Sequence, residues 1–169
     1  MSTPAALAAV LMFALYAGHH VGDYWVQTDS QAAHKGDAGT EGALACLMHV
    51  LSYLATQVAC LMLAAVTLGL QVSTAGLAAG LAISGVTHYL ADRREHGVML
   101  RLARLLGIKA FLGLGVPRKA KIYAQQEDQP FGPIALDNPS LGSGPWALDQ
   151  AWHIFFGVFV AGLAMAGLS

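Results

Sequence analysis

The sequence predicts an all-α protein, a four-helix transmembrane bundle with an interfacial amphipathic helix and a Pro/Gly-rich loop between the third and fourth spans. Three observations carry that prediction. The 169 residues are 56% hydrophobic and only 11% charged, where an ordinary soluble domain carries about 25% charged residues. The apolar residues gather into four runs, each near the roughly 20 residues that cross a bilayer. Within those runs the ionisable residues recur four apart, the step that stacks side chains on one face of a helix. A net charge of −1 offers no general basic surface for nucleic acid, so none is expected as a partner.

The first span covers residues 4–26. It opens with plain lipid-facing material and closes on His19-His20-Val21-Gly22-Asp23-Tyr24-Trp25-Val26-Gln27. His19, Asp23 and Gln27 share one helical stripe, His20 points about 100° away, and Tyr24 and Trp25 suit the membrane–water interface. No basic residue precedes the run, so it reads as a retained span, not a cleaved leader. Gly18-x-x-x-Gly22 would let a neighbouring helix come close. Residues 28–42 form a polar connection containing Lys35. The second span, 43–70, carries His49 and Tyr53 near its start, with Ser52, Thr56 and Gln57 as polar breaks. Its cysteines, Cys46 and Cys60, make no metal-type doublet and suit core packing.

After a tight turn at 71–74, the third span, 75–92, carries Gly76-x-x-x-Gly80, then Ser84-Gly85, and ends on His88-x-x-x-Asp92. Residues 93–144 are the long connection. In 95–112 the basic residues fall mostly on one side of a helix, which predicts an interfacial seat on anionic lipid. Residues 113–145 hold five of the six prolines and read as a loop or flap. The fourth span, 146–167, opens with Asp149-Gln150-x-x-His153. Asp149 also suits a helix N-terminus. His34 and His96 fall in connections, where solvent accounts for them. The whole chain, 1–169, reads as one membrane domain, with membrane lipids as its surroundings and small-residue faces that allow a homodimer.

Eight of the nine Lys and Arg residues lie in 93–121 and the ninth is Lys35. The positive-inside rule therefore puts both polar connections in the cytoplasm and both termini outside, in a multi-pass inner-membrane protein. The polar pairs then fall at one depth, since spans one and three end and spans two and four begin at the cytoplasmic face.

Four histidines (His19, His49, His88, His153) and three aspartates (Asp23, Asp92, Asp149) suffice for one or two divalent ions. Imidazole and carboxylate suit zinc first, with manganese or iron as the other candidates, and the lack of thiolates disfavours softer metals. Such a centre lowers the pKa of a bound water and binds a phosphoryl group. The expectation is a metal-dependent hydrolase of a phosphoester or lipid at the cytoplasmic leaflet. Asp149 or Asp23 would be the general base, and Gln27, Lys35, Tyr53 and Gln150 would support the ligands or contact substrate. The rival is a non-catalytic scaffold whose His/Asp pairs lock helices together or whose flap binds a partner. A proton or ion path ranks third, because the outer halves of the spans are nearly devoid of polar groups.

His19-x-x-x-Asp23-Tyr24-x-x-Gln27-Thr28-Asp29 with Lys35, then His49, His88-x-x-x-Asp92 and Asp149-Gln150-x-x-His153, resembles the DUF3307 family of small bacterial membrane proteins. The match keeps its order over nearly the whole chain. The His-x-x-x-Asp pairs are also similar, more weakly, to YdjM-type membrane-bound metal-dependent hydrolases, a likeness that implies zinc-dependent, phospholipase-like activity. One departure is that Arg93-Arg94 follows the third-span aspartate where the family pattern has a lysine.

Overall fold

The computed structural model describes residues 3–93, 98, 101–102, 105–107 and 144–169. Among these residues the fold is all helical, without strands. Helix α1 (Pro4–Val21) runs directly into a π-helical turn, Gly22–Val26. Thr3 caps its N-terminus by accepting from the Ala6 N–H, and Pro4 takes a first-turn position where its missing N–H costs nothing. A short helix α2 (Asp29–His34) follows, then α3 (Gly39–Leu68) and α4 (Thr74–Asp92). The last helix begins as α5 (Gly144–Trp152), passes through a π-helical stretch at His153–Val160 and ends as α6 (Ala161–Gly167).

Three helical stretches are long and apolar enough to cross a membrane: Pro4–Val26, Gly39–Leu68 and Trp146–Gly167, of 23, 30 and 22 residues. Helix α4 is of similar length at 19 residues, but its glycines, Ser84, His88 and Asp92 make it more polar, and it is not among them. It lies against α3 and the last helix, burying Gly76, Gly80, Ser84, Gly85 and His88. The expected second span begins earlier than the apolar run, at Gly39, and stops at Leu68, where Gly69 takes the left-handed conformation (φ 62°) that ends helices. The last helix starts at Gly144, two residues before the expected span.

The small-residue pairs work as close-approach points. A Cβ on Gly18 would come within 2.7 Å of the Gln57 Cα, and one on Gly22 within 2.8 Å of Thr56 Oγ1, so α1 seats directly on the α3 backbone. Gly80 does the same for the last helix, where a Cβ would meet Met165 Cε at 2.5 Å and the Ala161 carbonyl at 2.9 Å. Next to these contacts Leu7, Leu11, Leu15, Leu61, Ala161 and Met165 form the buried apolar core. Tyr24 and Trp25 are exposed, as interface residues should be.

The connection at 28–42 holds more structure than a polar loop. Thr28 accepts from the Gln31 N–H and the Gln31 side chain accepts from the Thr28 N–H, a reciprocal capping box that starts α2. Most of the expected interfacial helix, including Arg94, His96, Arg104 and Lys109, lies outside the described residues, and so does nearly all of the 113–145 loop. Within it, Arg101, Leu102 and Leu105 are helical, and the Leu106 N–H donates to the Leu102 carbonyl.

Candidate metal centre

Four helices deliver the polar pairs to one place. His19 lies in the last turn of α1, with Asp23 just beyond it in the π-helical turn. His49 sits on α3, His88 and Asp92 close α4, Asp149 is on α5, and His153 opens the second π-helical stretch. All four histidines are buried. Ring centroids are 5.0 Å apart for His49 and His88, 4.2 Å for His88 and His153, and 5.3 Å for His19 and His153. π-helical turns often mark functional sites because the extra residue per turn re-aims side chains, and both of these carry a donor of the cluster.

The tightest part consists of four atoms. His49 Nε2 and His88 Nε2 are 2.9 Å apart, and they lie 3.1 and 3.0 Å from the same Asp92 Oδ2. Both also lie 3.5 Å from Asp23 Oδ1. Four donors held about 2.0–2.1 Å from a tetrahedral zinc ion stand about 3.3 Å from one another. Five of the six separations among these four atoms, 2.9 to 3.5 Å, straddle that value. A proton shared between the two imidazoles accounts for their approach to each other but leaves Asp23 Oδ1, among the described residues, with nothing closer than their nitrogens at 3.5 Å. An unsatisfied buried carboxylate oxygen costs more than about 1–3 kcal/mol. A cation held by His49, His88 and Asp92 would also face Asp23, so the residues present fit a divalent metal.

His19 adds a second argument. The Gln150 amide donates through Nε2 to Asp149 Oδ2 at 3.3 Å, so its Oε1, 3.2 Å from His19 Nε2, must accept. His19 therefore carries a proton on Nε2, and when the ring is neutral its Nδ1 is bare and faces Asp23 Oδ2 at 3.5 Å. Two buried acceptors face each other there, and a cation between them relieves the repulsion. On the other side of the cluster His153 Nε2 lies 3.5 Å from Asp149 Oδ1 and 3.9 Å from Asp92 Oδ1, long contacts for a hydrogen bond. Three overlapping groups thus have metal-ligand spacing: His19, Asp23 and His88; His49, His88 and Asp92; and Asp92, Asp149 and His153.

The supporting residues sort by what they touch. Lys35 is buried, its Nζ 3.0 Å from Asp92 Oδ2 and 3.1 Å from Gln27 Oε1. Burial works against its ammonium, but Asp92 and then Asp23 outweigh that, and the pKa stands above its ordinary value of 10.5. Gln27 thus meets the cluster through Lys35, and Gln150 meets it through His19 and Asp149. The Tyr53 hydroxyl turns away, into a closed ring in which Tyr53 donates to Ser84, Ser84 to Gln57 Oε1 and Gln57 Nε2 back to Tyr53, at 2.9, 2.9 and 2.7 Å. Its ring instead packs on His88 at a centroid distance of 3.9 Å. His20 also departs from a simple outward pose, since its ring stacks on Tyr24 and its Nε2 is buried.

Three contributors were not expected. Ser84 read as a packing residue and Gln57 as a polar break, yet with Tyr53 they close a polar ring beside His88. Arg93 donates from Nη1 to the Lys35 carbonyl at 2.9 Å and from Nη2 to the Asp37 carbonyl at 2.8 Å, clamping the first connection to the end of α4. Gly42 makes room for this clamp, because a Cβ there would collide with the Asp37 carbonyl. The Thr28-x-x-Gln31 box was the available signal that this connection is built to a fixed shape. No protein-family model, curated protein or solved structure matches the chain.

Proposed function

We propose that the protein is a membrane-embedded metal-dependent hydrolase acting on a phosphoester, of a lipid or a similar anion, at the cytoplasmic leaflet. The observation that carries the reading is the crowding of His49 Nε2, His88 Nε2 and Asp92 Oδ2 within 2.9–3.1 Å of one another, with Asp23 Oδ1 3.5 Å from both nitrogens. The reading includes four spans, with α4 packed against α3 and the last helix, and both termini outside, as the positive charges imply. It also accords with the resemblance to the DUF3307 family and the YdjM-type hydrolases. Zinc is the ion expected, with manganese or iron as substitutes.

A bound divalent ion supplies Lewis acidity and an acidified water. The chain's own residues do the rest. Asp149 has a side chain 26% exposed, against 10% for Asp23 and 6% for Asp92, so it is the carboxylate that water reaches most easily. That makes it the first candidate for general base, with Asp23 second. The Lys35 ammonium, fixed beside Asp92, offers a positive charge to an anionic substrate. The scaffold alternative requires the polar cluster to be satisfied by its own hydrogen bonds, and among the described residues Asp23 Oδ1 and His153 Nε2 have only contacts of 3.5 Å or longer.

The test is elemental analysis of protein purified in mild detergent, together with phosphoester turnover in lipid bicelles before and after chelation. At least one equivalent of a divalent ion and chelator-sensitive turnover are expected. A folded, metal-free preparation whose properties do not respond to added metal would favour the scaffold.

A further inference from the structure

We infer that the cluster is built for two ions, with Asp92 as the bridge between an inner centre and a more open outer one. The inference rests on the metal-site reading above and adds the number, placement and unequal affinity of the ions. The two oxygens of Asp92 already face different partners. Oδ2 faces His49 and His88 at 3.1 and 3.0 Å, and Oδ1 faces His153 at 3.9 Å. Around that second oxygen stand His153 Nε2 and, 3.5 Å from it, Asp149 Oδ1. Those three residues form a ligand group that shares only Asp92 with the inner one. His153 is 1% exposed, and neither of its ring nitrogens has a hydrogen-bond partner among the described residues. A buried imidazole held 3.5 and 3.9 Å from two carboxylate oxygens is poorly served by such long contacts, and a cation between them satisfies all three groups.

The two centres differ in build. The inner one has His49, His88 and Asp92 at metal-ligand spacing, and Asp23 Oδ1 stands 3.5 Å from both imidazole nitrogens as a fourth donor. The outer one has three donors, from Asp92, Asp149 and His153, and one of them is the most accessible carboxylate of the cluster. A closed four-donor set suits a tightly retained ion, and a three-donor set that keeps an open position suits the exchangeable, reactive one. Gln150 holds the outer carboxylate in place by donating to Asp149 Oδ2 at 3.3 Å. Under this inference Asp149 is a ligand, so the general-base role passes to the second candidate, Asp23, through Oδ2, the oxygen not turned to the inner centre. Charge agrees with this arrangement. Three carboxylates and Lys35 sum to −2, one divalent ion brings the site to neutrality, and a second makes it +2, which suits an anionic phosphoester.

The experiment is a metal titration of the full-length protein in detergent micelles, starting from chelated protein and using Zn²⁺, then Mn²⁺ with electron paramagnetic resonance. Two equivalents should bind in two phases, the second at least tenfold weaker, with Mn²⁺ showing exchange coupling across the shared carboxylate at full loading. His153→Ala and Asp149→Asn should each bind one equivalent and give an uncoupled Mn²⁺ signal. One equivalent in the wild type would overturn the inference and leave the metal-site reading intact. None would overturn both. Two equivalents retained in His153→Ala would overturn the assignment of the outer centre, and because the wild type alone decides the count, a variant that fails to fold does not blunt the test.

Discussion

At one end of the bundle Leu7, Leu11, Leu15, Leu61, Ala161 and Met165 interlock around glycines that let backbones touch. At the other end the same helices bury four histidines and the side chains of Asp23 and Asp92, with polar atoms left unpaired. The first end supplies cohesion. Lipid tails are as apolar as leucine, so its stability comes from shape fit and not from leaving water. The second end keeps close helix contacts at Gly18 and Gly22 but buries polar groups whose hydrogen bonding is incomplete among the described residues. Unpaired buried polar groups persist where function requires them or where a bound ion completes them. The contrast implies that substitutions at the two ends should separate folding from ion binding.

The largest effect is expected from His88→Ala, which removes a donor shared by two of the three ligand groups. Ion retention should fall more than about 100-fold, beyond the 10–100-fold typical for residues that only support a ligand, while circular dichroism stays helical. Loss of helicity with no loss of bound ion would show that His88 belongs to the cohesive end. Leu11→Ala is the mirror experiment. Leu11 is 1% exposed in the apolar core, and truncating such a residue costs about 2–5 kcal/mol in water-soluble cores through transfer and cavity terms. Only the cavity part survives in lipid, so about 2 kcal/mol is expected in a denaturant titration, with the ion content unchanged.

Lys35 tests the sign of the electrostatics. Its ammonium stands 3.0 Å from a ligand oxygen, so Lys35→Met should make the site more negative and hold the ion more tightly, by at least about tenfold even at the dielectric of bulk water. Turnover should fall in the same variant, because the charge that attracts the substrate is gone. The raised pKa keeps the ammonium charged at every pH below its ordinary value of 10.5. The stabilising pair with Asp92 is therefore fully present there and lost only as the pH rises through the higher folded value. The affinity difference between wild type and variant should accordingly stay flat between about pH 6 and pH 9. An unchanged or weakened affinity would mean that Lys35 acts as a structural strut only.

What the sequence made legible follows the same division. The His/Asp pairs stood out because ionisable groups are rare inside apolar runs, and their four-residue step placed each pair on one stripe before any coordinates. The glycine pairs likewise announced close helix contacts at Gly18, Gly22, Gly76 and Gly80. The π-helical turns were not legible, since a π turn comes from backbone accommodation to neighbours and has no period of its own in the residues. The Arg93 clamp was hidden for a related reason. Its acceptors are the carbonyls of Lys35 and Asp37, which any residues would supply, and their position depends on how α2 folds back over the end of α4. The third span was drawn as lipid-crossing from its length, yet α4 is more polar than the three helices apolar enough to cross a membrane, because its small and polar residues serve the helices around it.

Ser84 lies where the two ends meet, and it sharpens the contrast with the smallest expected effect. Its hydroxyl accepts from Tyr53 and donates to Gln57, closing a ring in which each member donates once. Ser84→Ala opens that ring. Hydrogen bonds between membrane helices are worth about 0.6 kcal/mol on average and at most about 1.7 kcal/mol, so a loss near 1 kcal/mol is expected in the denaturant midpoint. The freed Tyr53 ring still rests on His88 at 3.9 Å, so ion affinity should shift less than about threefold, within the scatter of a weak supporting contact. A large drop in affinity with little change in stability would reverse the assignment. The polar ring would then belong to the reactive end, and the boundary between cohesion and chemistry would lie one helical turn deeper, at Gln57.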